Sequence, residues 1–147
     1  MIFFAHKERT KSFTKGAQSE KELRAMAKDF SYDVIGLAYR VHDELGPGLL
    51  ESVYKNCLAY ELTQNGFFIE VEKPINVFYN GIDMGQGFRI DILVEKRLVL
   101  ELKVAEAISP NHIAQTLSYL KFSGVKHGLI LNFMETKLRF GIKRLVL

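Results

Sequence analysis

Cysteine and long apolar runs are the scarcest features of this 147-residue sequence, and each absence narrows the class of protein. Cys57 is the single cysteine, so the chain forms no internal disulfide and no cysteine-rich zinc site. We therefore expect a reducing, cytoplasmic location. No stretch approaches the roughly 18 consecutive apolar residues that indicate a membrane span, and the opening MIFFA is too short for the core of a signal peptide. The expectation is a globular protein without a membrane partner.

Excess charge of one sign is missing from most of the chain, although the net charge is +3. Seven Lys/Arg and four Asp/Glu lie in residues 1–30, which leaves 13 of each sign from the totals of 20 and 17. Net charge therefore says little about partners. The segment from Lys137, KLRFGIKRLVL, carries four cations and no acid. It is either a strip that faces phosphates or a solvated terminal strand, and both interpretations stay open.

Apolar periodicity divides the chain into an arm and one domain. Residues 1–30 are polar and predict a flexible or loosely helical arm, whereas residues 31–147 have the patterns of a folded domain. Helical spacing of apolar residues begins near Tyr32, and the GPG at residues 46–48 ends that helix. A second helix is predicted from Leu49 to Gln64.

The pattern then changes to a period of two, which is typical of strands. FIEVE at residues 68–72 alternates, Pro74 is expected to interrupt the strand, and Asn80-Gly81 predicts a two-residue hairpin turn. Ser109 is the expected N-cap of a third helix that ends at Gly124, and two strands follow. This order predicts an α+β or α/β sandwich with a mixed sheet flanked by helices.

The stretch RIDILVEKRLVLELK, from Arg89 to Lys103, is an apolar hairpin with charges inside its strands. A common core face requires the apolar residues to align across the pair, which predicts the pairs Val94 with Leu98, Ile92 with Leu100 and Ile90 with Leu102. The same register places Asp91 opposite Glu101, and Lys103 falls on their face.

Two carboxylates at such a separation repel each other, so something must compensate. One interpretation is a surface salt-bridge cluster with Lys103, which contributes little to stability. The other is a divalent cation held by Asp91 and Glu101, which would leave positions open for water and a phosphate oxygen. Lys103 would then orient the attacking water or neutralise charge on the phosphate.

At these residues the sequence resembles the PD-(D/E)XK nuclease superfamily, in which an Asp on one strand precedes Glu/Asp-x-Lys on its partner. GLLESVY, from Gly48 to Tyr54, is similar to the pattern that names the GxxExxY protein family within that superfamily. VHDELGPG, GQGFRIDILVE and AQTLSYL also resemble that family, in the same order. The resemblance runs from about Tyr32 to the C-terminus.

The resemblance implies an α-β-β-β-α-β core, a divalent metal such as Mg²⁺ or Mn²⁺, and nuclease activity on DNA or RNA. It implies that Glu51 is the first-helix acid that completes the metal site of Asp91 and Glu101, and that Gln115 supports Lys103 or the substrate. One departure is that the Pro that usually precedes the Asp is Ile90 here.

Several of these residues also have structural interpretations. If Gly48 is the N-cap, Glu51 is at N3 and capping alone explains it. Tyr54 is expected to be a buried ring with a hydrogen-bonded hydroxyl close to the site. Gln115 is a polar helix-face residue by default, and His112, one turn away, is either structural or within reach of substrate.

Three functions remain open. The first is a metal-dependent nuclease, which the intact Asp91, Glu101 and Lys103 favour. The second is a non-catalytic nucleic-acid-binding module that retains the nuclease fold. The third is a homodimeric scaffold with an interface at the strand ends or at residues 112–122, which is compatible with either of the others.

Overall fold

The structure is a computed structural model that describes the backbone of residues 2–4 and 20–147 and the side chains of residues 30–147. Residue 1 and residues 5–19, about half of the predicted arm, lie outside the described residues. The first helix begins at Glu20 and continues past residue 30 without a break. The division of the chain at residue 30 therefore stays a prediction.

The described residues form three helices and six strands in an α+β order. The helices are α1 (Glu20–Leu45), α2 (Glu51–Gln64) and α3 (Pro110–Ser123). The strands are β1 (Ile2–Phe4), β2 (Ile69–Tyr79), β3 (Ile82–Val94), β4 (Leu98–Lys103), β5 (His127–Asn132) and β6 (Ile142–Val146), and a 3₁₀ turn (Leu138–Gly141) precedes β6.

The described strands form one sheet in the order β1-β2-β3-β4-β5-β6, and the prediction of a mixed sheet is confirmed. Among these strands, only β4 and β5 run parallel, because α3 carries the chain back across the sheet between them. One buried core joins α1 and α2 to one face, through residues such as Leu58, Ile92 and Leu100. A second core joins α3 to the other face, through residues such as Leu93 and Leu120. None of the helices among the described residues is both long enough and apolar enough to cross a membrane.

The two N-terminal helices follow the predicted apolar stripe, but α2 begins later than expected. Gly46 has the left-handed conformation predicted for the end of α1, with φ of 68°. The N-cap of α2 is Leu50 rather than Gly48, and its side chain makes no capping hydrogen bond. Glu51 is therefore the first residue of the helix, and capping at N3 does not explain it.

Strand β2 continues through Pro74, where the sequence predicted an interruption. Pro74 pairs with Arg89 of β3. On its other side, β2 has a described neighbour only from Ile69 to Val71, and proline is tolerated in strands of this kind that lack a second neighbour among the described residues. Asn80 and Gly81 have φ of 50° and 75°, the positive angles of the predicted hairpin turn.

Candidate active site

The β3–β4 ladder ends at the acidic residues. Ile92 pairs with Leu100 and Val94 with Leu98, as the sequence predicted. The predicted pairs of Ile90 with Leu102 and of Asp91 with Glu101 are absent from the ladder. The Leu102 N–H donates instead to Asp91 Oδ2 at 2.8 Å. The Asp91 carboxylate thus replaces a main-chain acceptor where the strands part, which anchors this side chain to β4.

Glu101 is a buried acid beside Asp91. Its side chain is almost inaccessible, and Oε2 accepts no hydrogen bond from a donor group in the described part of the chain. Burial, the Asp91 charge and a shared hydrogen bond with Asp91 raise the pKa of Glu101 to about 9. The two carboxyl groups are therefore close enough to share one proton, which relieves the repulsion expected from the sequence.

Lys103 is the cation of this group. Its Nζ lies 3.7 Å from Glu101 Oε1, which confirms the prediction that the two side chains share a face. The main chain of Lys103 is held by β5, because the Phe133 N–H donates to the Lys103 carbonyl at 2.9 Å. This ion pair is largely buried and is not the solvent-exposed cluster of the first interpretation.

Glu51 adds a third acid from the start of α2. Partial burial and the nearby Asp91 raise the pKa of Glu51, while Lys103 and Lys55 act in the opposite direction. The Glu51 residue remains accessible to solvent. The first turn of α2 thus places the Glu51 carboxyl within electrostatic reach of Asp91 and Lys103.

This geometry agrees with the comparison to known protein families. Residues 28–145 match the sequence pattern of the PD-(D/E)XK nuclease superfamily. The chain belongs to that superfamily. No curated protein and no solved structure shows significant similarity to the chain. The mixed sheet with flanking helices is the PD-(D/E)XK nuclease fold that the sequence predicted, and nucleases of this superfamily generally use divalent metals.

Tyr119 lies within electrostatic reach of the acids and was not identified from the sequence. Its ring stacks on Phe88 at a centroid separation of 4.3 Å. Burial and the charges of Glu101 and Asp91 raise the pKa of Tyr119 to about 12. The available signal was its spacing, because Tyr119 lies four residues after Gln115 on the same side of a helix.

Gln115 itself is exposed on α3 and makes no hydrogen bond within the described residues. The role expected of Gln115, to support Lys103 or the substrate, therefore stays a prediction. His112 has a structural task. Its Nδ1 accepts from the Ser109 N–H at 3.1 Å, and its own N–H donates to Ser109 Oγ at 3.2 Å. This capping box starts α3.

Tyr54 holds the turn that leads into α2. Its hydroxyl donates to the Gly46 carbonyl at 2.5 Å and accepts from the Leu49 N–H at 3.1 Å. The ring is fully buried and stacks on Phe133 at 4.6 Å. The prediction that Tyr54 is a buried ring with a hydrogen-bonded hydroxyl is confirmed. Tyr54 is connected to the site because the turn that it holds leads directly to Glu51.

Asn132 supports the site from β5 and had no sequence signal of its own. It pairs with Lys103 across the parallel ladder. Its fully buried amide donates to the Ala105 carbonyl at 2.8 Å and accepts from the Ala105 N–H at 3.2 Å. Both main-chain polar groups of Ala105, two residues after Lys103, are therefore hydrogen-bonded to the Asn132 side chain.

Proposed function

We propose that the protein is a divalent-metal-dependent nuclease that hydrolyses phosphodiester bonds of DNA or RNA. The observation that carries this proposal is the convergence of Asp91, Glu101 and Lys103 where β3 and β4 part. A buried acid next to a second carboxyl is costly to a fold, and perturbed groups of this kind concentrate at functional sites.

The residues fit a hard divalent cation. The donors are carboxylate oxygens, and the buried Glu101 Oε2 has no other partner among residues 30–147. No three His, Cys, Asp or Glu side chains in that part of the chain are arranged to hold an ion together. Asp91 and Glu101 would be the protein ligands, and the assignment of Glu51 as a third ligand stays a prediction. Mg²⁺ accepts one or two carboxylates and keeps several waters.

A divalent cation, when bound, supplies Lewis-acid chemistry that polarises a phosphate and lowers the pKa of water. The chain supplies the rest. Asp91 is held by the Leu102 N–H, so its carboxylate needs little reorganisation. Lys103 places a compact positive charge beside Glu101, where it stabilises negative charge that develops on the phosphate or orients the attacking water.

Lys103→Ala tests the proposal. We expect wild-type protein to cleave at least one of four substrates, single- or double-stranded DNA or RNA, with Mg²⁺ or Mn²⁺, and we expect the variant to lose at least about 100-fold in rate because a charge-stabilising group is removed. Circular dichroism should show an intact fold. Lys126→Ala, an exposed lysine before β5, is the matched control. Absence of cleavage together with absence of metal binding by calorimetry would leave the non-catalytic alternative.

Three finer statements belong to this proposal. The motif from Gly48 to Tyr54 supports membership of the GxxExxY group within the superfamily. The single Cys57 supports a cytoplasmic location. A homodimer stays a prediction that analytical ultracentrifugation would test.

A further inference from the structure

The C-terminal strand places a lysine in line with the acids. Glu101 pairs with Ile130 of β5, and Ile130 pairs with Lys143 of β6. Paired residues point to the same side of a sheet, and neighbouring strands are about 4.8 Å apart. Lys143 therefore lies on the face of Glu101, roughly 10 Å away. That distance corresponds to about three nucleotides of a stacked strand at 3.4 Å each.

The 3₁₀ turn before β6 and the residue that precedes it carry two more cations, and the turn packs on Asn132, which pairs with Lys103. Leu138 is buried in the core and pins the turn, which leaves Lys137 and Arg139 exposed. Neither of them, nor Lys143, forms an ion pair with an acid in the described part of the chain. One acid, Glu135, packs against the turn, but its side chain is half-buried rather than displayed.

An aromatic ring completes this surface. Phe140 is 66 % exposed, and the Arg139 guanidinium lies 4.7 Å from its ring centroid. An exposed phenylalanine beside cations is the combination that binds single-stranded nucleic acid, because phosphates meet the cations while an unstacked base stacks on the ring. We name Lys137, Arg139, Phe140 and Lys143 the basic rim.

The basic rim is linked to the segment after Lys103 through Asn132. A Cβ on Gly141 would lie 2.5 Å from the Asn132 carbonyl oxygen, so the turn packs directly on Asn132. The Asn132 side chain in turn clamps Ala105, two residues after Lys103. The remaining cation of the segment is used elsewhere, because Arg144 donates to Ser31 Oγ at 2.7 Å on the opposite face.

We propose that the basic rim holds a single-stranded segment of the nucleic-acid substrate about three nucleotides from the scissile phosphate. This proposal rests on the proposed nuclease function for the identity of the site, and it assigns the strandedness that the acids leave open. The cations neutralise consecutive phosphates, and Phe140 accepts one base, which a continuous duplex does not offer.

Binding without cleavage tests the rim separately from catalysis. The probe is a fluorescein-labelled 20-nucleotide single strand in EDTA, followed by anisotropy from 50 to 300 mM salt. The triple variant Lys137→Gln, Arg139→Gln, Lys143→Gln should reduce the slope of log K against log salt by about 2, because each phosphate contact on a single strand contributes about 0.7. Its affinity at 0.1 M salt should fall about 100-fold. Lys126→Gln is the control, because it removes one positive charge from an exposed position outside the basic rim.

Phe140→Leu separates stacking from charge. We expect roughly tenfold weaker binding of the single strand with an unchanged salt slope. A duplex of the same length should bind less tightly and should be insensitive to this substitution. Residues of the rim are exposed, so thermal melts of both variants should match that of the wild type.

Three results would contradict the role proposed for the basic rim and would leave the nuclease proposal unaffected. These are a triple variant with unchanged salt slope, a duplex that binds as tightly as the single strand, or wild-type protein that cleaves but binds no single strand in EDTA. Conversely, if the triple variant weakens binding while neither wild type nor Lys103→Ala cleaves any substrate, the rim stands and the nuclease proposal fails.

Discussion

Glu101 experiences the largest electrostatic cost in the described part of the site, because its carboxyl is buried next to a second acid. Burial and Asp91 both disfavour ionisation, and the Lys103 ammonium 3.7 Å away compensates only in part. The pair therefore holds a proton at neutral pH in the absence of a cation. A bound divalent cation would have to displace that proton.

This competition makes cation affinity depend on pH. Because the pKa of Glu101 is raised to about 9, the acid pair is protonated below that pH and each bound cation should release about one proton. The apparent affinity for Mn²⁺ should then rise about tenfold per pH unit between pH 6 and 8. Calorimetry in buffers of different ionisation enthalpy measures both quantities. Affinity that is independent of pH would mean that the pair is ionised without a cation.

The start of α2 is the element that brings Glu51 to the site. Its N-cap, Leu50, offers no side-chain hydrogen bond, so the entry into the helix is shaped by Tyr54 instead. The Tyr54 hydroxyl bridges the Gly46 carbonyl and the Leu49 N–H, and thereby closes the GPG turn onto the first turns of the helix. The Tyr54 hydroxyl thus fixes the turn before α2, and with it the position of Glu51 at the start of that helix.

Tyr54→Phe should destabilise the protein and disturb Glu51 together. The variant leaves two main-chain groups without a partner, which costs about 1–3 kcal/mol of the free energy of unfolding. Urea denaturation measures this loss, and cleavage assays should show a reduced rate because Glu51 is less firmly placed. Tyr60→Phe on the exposed side of α2 is the matched control and should change neither quantity. Equal stability of the two variants would contradict the bridging role.

The pairing of β3 with β4 could be predicted from the sequence, because it depends on residues that are close together along the chain. Apolar residues such as Ile92 and Leu100 alternate along β3 and β4, and only one pairing of the two strands puts them on a common face. The β3–β4 ladder has that pairing. The end of that ladder was not readable, because the hydrogen bond from Leu102 to Asp91 depends on how the strands separate. The prediction for Pro74 was wrong for the same reason, since its tolerance depends on which strands neighbour β2, and the described residues provide only β3 at Pro74.

At the scale of the whole molecule, the acid pair opposes folding over a defined pH range. The pKa of Glu101 is about 9 in the folded state and 4.5 in the absence of its environment. Between these values the folded protein holds a proton that the unfolded chain lacks. The contribution of Glu101 is therefore most favourable below pH 4.5 and declines as pH rises toward 9, by at most about 1.4 kcal/mol per pH unit.

Glu101→Gln should remove this decline. The amide resembles a protonated carboxyl and does not ionise, so the variant should gain stability over the wild type as pH rises from 5 to 8.5. Urea denaturation in EDTA at the two pH values measures the difference, and the other titrating groups are common to both proteins. Glu106→Gln, in the exposed loop after β4, provides the control. A stability difference that does not change with pH would show that Glu101 is ionised in the folded protein.

The sequence by itself determined the fold class, the β3–β4 register and the three residues Asp91, Glu101 and Lys103, because periodicity and short-range spacing are written along the chain. Only the tertiary structure decided that Tyr119 faces the acids and that Asn132 clamps the segment after Lys103. It also divided the C-terminal cations between the two faces of β6. These relations join residues from different strands and helices, and their distances follow from the packing of the sheet rather than from any spacing in the sequence.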